Sequence, residues 1–153
     1  MPKHPPSPQA QLDGFIDKFS PEIAAQIRTA LAKMRKRLPG AVELVYDNYN
    51  ALAIAFGSGE KRSEILFSIA AYPKWVSLFL VGGQTLDDPK KLLKGSGGTM
   101  RHIVLDPPKL LDDPAVQDLL AQTLRHAGTE LNDKTKSRLV IKSVSDKQRP
   151  RRP

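Results

Sequence analysis

Apolar residues recur along this chain with two different periods. Leu12, Phe15, Ile16 and Phe19 fall at i, i+3, i+4 and i+7, the stripe of a short helix, in spite of the propensity cost of Gly14. Ser20-Pro21-Glu22 then restarts the chain: a serine cap, a proline at the first helical position and an acid in the first turn open a second helix. Ile23, Ile27, Leu31, Met34 and Leu38 repeat at helical spacing through it. Lys33, Arg35, Lys36 and Arg37 fall in its last turns, where cations meet the negative end of the helix dipole, and Pro39-Gly40 ends it.

From residue 41 to 81 the period shortens to runs rich in β-branched and aromatic residues between turn residues. These predict strands over 42–47, 51–56, 63–72 and 75–81, joined by connections short enough for hairpins. Asp87-Asp88-Pro89 predicts a short helix over 86–93, and Gly95-Ser96-Gly97-Gly98 a loop before a fifth strand over 100–106. Asp112-Asp113-Pro114 opens a last helix with Val116, Leu119, Leu120, Thr123 and Leu124 on one face and Gly128 near its end. Residues 139–144 read as an extra strand or an extended arm. The expected fold is α+β: an antiparallel meander of about five strands, packed by N-terminal and C-terminal helices.

With 153 residues, 40% of them hydrophobic, the chain is sized for one core. The proline-rich first eight residues read as a disordered lead-in, 9–133 as the folded domain and 134–153 as a basic, largely flexible extension. Cysteine is absent, which removes disulfides and thiolate zinc sites, and there is no apolar leader or membrane-length apolar run. A cytoplasmic protein without membrane contact is the expectation. The net charge of +8 is lopsided. Residues 134–153 carry eight basic side chains against one acid, whereas 1–133 hold sixteen basic and fifteen acidic. The charge therefore describes a tail far more than a body.

Three stretches carry a resemblance: Leu12-Asp13-Gly14-Phe15-Ile16, Val45-Tyr46-Asp47-Asn48-Tyr49-Asn50, and the run from Gly95-Ser96-Gly97-Gly98 through Thr99-Met100-Arg101-His102-Ile103. With the order of elements around them, over roughly 9–127, the chain resembles the YdhG-like family, a bacterial domain family of unknown function. The resemblance implies a compact α+β fold with a small antiparallel sheet and no established reaction. A frataxin-like role in intracellular iron delivery, attached to part of that family, is also implied. An iron carrier favours clustered hard oxygen ligands, whereas the helix that would display them here is basic.

The residues themselves offer little catalytic chemistry. His4, His102 and His126 are far apart and form no ligand-spaced pair, the paired aspartates precede prolines where capping explains them, and no nucleophile elbow is present. Neither metal, cofactor nor reaction is called for, and the chain reads as a non-enzymatic monomer or homodimer. All three tyrosines and the single tryptophan lie in the meander. Tyr46, Asn48, Tyr49 and Trp75, with Lys94, Arg101 and His102 to fix orientation, are the candidate site for a small polar or anionic ligand. The glycine loop beside Lys94 and Arg101 matches no nucleotide fingerprint. Lys147, Arg149, Arg151 and Arg152 are the candidates for sequence-independent contact with nucleic acid, the alternative reading.

Overall fold

The computed structural model describes residues 6–128, 131 and 137–153. Its helices are α1 (Pro8–Asp17), α2 (Pro21–Arg37) and α3 (Pro114–Ala127). Each begins with an oxygen-bearing cap followed by proline: the side chains of Ser7, Ser20 and Asp113 accept from the amides of Ala10, Ile23 and Ala115. Six strands follow the same chain order, β1 (Val42–Asp47), β2 (Leu52–Gly57), β3 (Ile65–Ala71), β4 (Val76–Leu80), β5 (Arg101–Val104) and, after α3, β6 (Arg138–Val144).

The α+β class stands, but the sheet is larger and more mixed than an antiparallel meander of five strands. Its order is β5-β4-β3-β2-β1-β6, and β6 lies parallel to β1 while all other neighbours are antiparallel. After α3 the chain crosses back to the edge that β1 leaves open, which no local period can announce. One apolar residue from each strand lies in register across the sheet: Ile103, Leu78, Ile69, Ile54, Val45 and Ile141. The first five are buried, and this row is the floor on which Leu12, Ile16, Ile27, Met34, Leu119 and Leu120 of the helices pack.

Strand β1 is turned against its own pattern. Val42, Leu44 and Tyr46 would be the obvious inward set, yet Glu43, Val45 and Asp47 face the helices, while Val42 and Leu44 form a smaller cluster with Ala55, Tyr46, Ile65 and Val140 on the other face. Two inward carboxylates are tolerable only because each is met by cations. Arg35 of α2 reaches both oxygens of Glu43 through Nε at 3.1 and 2.9 Å, and Lys18, just past α1, reaches Asp47 at 2.7 Å.

Two further expectations change. No helix forms over 86–93; instead the Asp88 carboxylate accepts the amides of Leu92 and Leu93, and Lys91 takes a positive φ of 52°. A side chain that caps backbone amides four and five residues on competes directly with helical bonding. The C-terminal extension is likewise no free arm over its described part. Residues 138–144 are β6, and beyond them the chain bonds back to the body through Ser145, Gln148, Arg149, Arg151 and Arg152. The expected lead-in lies outside the described residues up to residue 5, as does the expected boundary between 133 and 134.

Candidate functional site

Four segments meet at one end of the sheet. The register of β1 with β2 and of β3 with β4 puts Asp47, Leu52, Ala71 and Val76 side by side, so the turns after β1 and after β3 lie next to each other. Asn48 donates its amide to the Ala51 carbonyl to close the first turn, and Tyr72 donates to the Trp75 carbonyl to close the second. The junction of α1 and α2 reaches the same corner through Lys18, and the chain end returns to it.

Asp47 ties that return down. Its side chain is fully buried, and its Oδ1 accepts from Arg151 Nη2 at 2.9 Å while Oδ2 accepts from Lys18 at 2.7 Å. Arg151, 4% exposed, also donates to the carbonyls of Asn48 and Tyr49, and its guanidinium lies over the Phe19 ring. Gln148 joins the lock by donating to the Asp47 carbonyl and accepting from Lys18. Burial alone pushes the Asp47 carboxyl up, but hydrogen bonds from Lys18, Gln148 and Arg151 and the charge of Lys18 outweigh it and hold the group below its ordinary value.

With Arg151 fixed inward, its neighbours point elsewhere. Arg149 donates its amide to the Tyr49 carbonyl and sets its guanidinium 5.8 Å from the Tyr49 ring centre, while Arg152 Nε donates to the Lys18 carbonyl. Both side chains border a cleft of about 510 Å³. Pro150, Asn50 from the first turn, and Tyr72, Pro73 and Trp75 from the second complete its lining. Tyr72 and Trp75 stack with centroids 4.6 Å apart and planes 21° from parallel, and Trp75 is still 44% exposed. Among the described residues neither Arg149 nor Arg152 is paired with a carboxylate. The cleft thus combines an exposed aromatic stack with two unneutralised guanidinium groups.

The candidate ligand residues separate into three places. Trp75 lines the cleft and Tyr49 sits under Arg149 at its rim, but Asn48 serves the turn and the lock with its backbone, and Tyr46 packs on the far face of the sheet. Lys94, Arg101 and His102 are at the opposite end of β4 and β5. Arg101 is registered with Leu80, five positions beyond Trp75, roughly 17 Å along the strand. There Arg101 donates to the carbonyls of Gly97 and Met100, Lys94 and His102 exchange backbone bonds, and the His102 ring lies against Phe79. Of the tail candidates, Arg149 and Arg152 border the cleft, Lys147 is exposed outside it, and Arg151 is withdrawn from solvent.

Asn50, Tyr72 and the lock at Asp47 are the residues that the sequence reading left out of the site. The signal for Asp47 was the spacing Glu43, Val45, Asp47: acids four apart on a strand share one face with the valine midway between them, so if that valine is buried the acids need cations. Among the described residues no group of three or more histidine or acidic side chains is gathered as a metal site, and no helix is long and apolar enough to cross a membrane.

Fold and corner together define an α+β domain with one mixed sheet, helices packed on one face and a basic, aromatic-walled cleft completed by its own C-terminus. Comparison with protein-family models, with curated proteins and with solved structures gave no match to this chain.

Proposed function

We propose that this chain is a non-catalytic ligand-binding domain, akin to the YdhG-like domains, that holds a small anionic molecule in the cleft between the β3–β4 turn and the C-terminal return. The observation that carries this reading is that two guanidinium groups with no carboxylate partner among the described residues share the lining of one concavity with an exposed aromatic stack. The cleft volume of about 510 Å³ falls in the range of small-molecule sites. Guanidinium groups recognise carboxylate and phosphate oxygens in a bidentate way that lysines do not. The test is calorimetric titration with inorganic phosphate and with citrate, for the natural chain and for the double variant Arg149→Ala with Arg152→Ala. Saturable binding lost in the double variant supports the site; equal binding by both proteins removes it.

Nucleic-acid contact through the tail is the second reading, favoured by the exposure of Lys147, Arg149 and Arg152 along one short segment. Such contact is sequence-independent and falls steeply with salt. Anisotropy of labelled duplex DNA across a salt series checks it, with the triple alanine variant at these positions as the control.

A further inference from the structure

We infer that the molecule this cleft accepts is a nucleotide unit: an aromatic base joined through a sugar to phosphate. The inference rests on the reading of the cleft as an anion site and narrows it. Two chemistries line the same opening. The Tyr72–Trp75 stack in its lining leaves Trp75 44% exposed, and an exposed, pre-stacked indole is a platform for another flat π-system. In the same lining Arg149 and Arg152 present guanidinium donors without a carboxylate partner among the described residues. A simple anion would use the arginines and leave the rings idle. A neutral aromatic would do the reverse. A base carrying phosphate uses both, and Asn50, exposed at the rim, adds an amide whose donor and acceptor suit the polar edge of a base.

The lock at Asp47 fits this assignment. It fixes Arg151 in the interior and so sets the backbone on either side of it. Arg149 is held by its amide at Tyr49, and Arg152 by its Nε at Lys18. Two cations held at fixed places on an ordered segment lose less freedom on binding phosphate than the same residues on a free arm. The proline between Arg149 and Arg151 stiffens the segment further.

A free nucleotide and one unit of a single strand share this chemistry, and the experiment separates them. Trp75 is the only tryptophan of the chain and lines both this cleft and a neighbouring one with Ser20 and Glu22, so quenching of its emission reports a ligand beside the ring, and its loss in Arg149→Ala with Arg152→Ala places that ligand in this cleft. The full chain is titrated with AMP, ribose 5-phosphate, phenyl phosphate, inorganic phosphate and a short oligothymidylate. AMP is expected to quench saturably and to bind at least roughly tenfold tighter than ribose 5-phosphate, the scale of one base–aromatic stack. Trp75→Ala, read by calorimetry, loses that margin, and Trp75→Phe keeps part of it. Tighter binding of the oligonucleotide than of AMP assigns the source to a single strand; equal binding assigns it to the free nucleotide. Equal affinities for AMP and ribose 5-phosphate, or for AMP and phenyl phosphate, overturn the nucleotide assignment and leave the anion site standing. Binding of none of these phosphates, nor of citrate, overturns both.

Discussion

Arg151 Nη2 stands 2.9 Å from Asp47 Oδ1, the two residues lying 104 positions apart in sequence with both side chains buried. This pair joins the end of the first strand to residues 149–152, and through Arg149 and Arg152 it shapes the corner where the basic tail meets the aromatic turns. Removing one partner of a buried pair leaves an uncompensated charge, at a cost of about 3–5 kcal/mol. The chain has a cheaper escape in Asp47→Ala, because the tail can detach and carry Arg151 into water. Asp47→Ala is therefore expected to free the segment, seen as rapid trypsin cleavage after Lys147 and after Arg151 in intact-mass measurements. Arg151→Ala should cost less, about 1–2 kcal/mol, because Asp47 keeps Lys18 at 2.7 Å. Unchanged protection of both bonds in Asp47→Ala would show that the tail is held by something other than this pair.

The same carboxylate makes a pH prediction. The Asp47 group is held below its ordinary value of 3.8, so its folded form binds a proton less readily than its unfolded form. Its contribution to stability is fully present above that ordinary value and is lost as pH falls through the lower folded value. Urea midpoints of the natural chain and of Asp47→Asn should differ by a constant margin from about pH 5 to pH 7 and converge below about pH 4. A margin that instead changes between pH 5 and 7 would point to another titrating group.

Much of the fold was legible because it is local. The cap, proline and acid at residues 20–22 set the start of α2 where the structure has it, and the turns after Asp47 and Ala71 are written in their own residues. Residues 139–144 read as a strand or an arm, and they are β6, but its place in the sheet was not legible, because its partner is β1, nearly a hundred residues earlier and parallel, and short-range alternation carries no information about that pairing. The site failed in an instructive direction. The aromatic residues of the meander pointed to the corner, though Tyr46 went to the far face, and the cations assigned to them were Lys94, Arg101 and His102. An antiparallel β5 puts its first residue beside the last of β4, so Arg101 had to lie away from Trp75. The tail cations took that place, and their position depends on the lock at Asp47, which shows in sequence only as an acid on the wrong face of a strand.

The six-residue row across the sheet gives a stability prediction independent of the site. Ile69 lies at its centre, fully buried between Ile54 and Leu78. Ile69→Ala should destabilise the fold by about 2–5 kcal/mol through lost transfer energy and an unfilled cavity, measured by urea unfolding, with the slope of the transition unchanged. A loss under about 1 kcal/mol would mean that the helices close over the gap.

Truncation separates the roles of strand and tail. A chain ending at Ser145 keeps all six strands and loses Gln148, Arg149, Arg151 and Arg152; Asp47 retains Lys18, so the body is expected to stay folded and monodisperse with the cleft abolished. A chain ending at residue 137 also removes β6. That uncovers the whole edge of β1 from Val42 to Asp47, with the unpaired amides and carbonyls that invite another chain to add a strand. It also strips Leu139 and Ile141 from the main core and Val140 from the smaller cluster. The shorter chain should therefore associate or unfold at lower temperature, seen by light scattering coupled to gel filtration and by thermal melts. If both truncated chains behave alike, β6 contributes no more than the tail does, and the stability of the β1 edge must come from elsewhere. If they differ as expected, only the chain ending at Ser145 isolates what Arg149 and Arg152 do for binding, because the other changes the sheet on which the site is built.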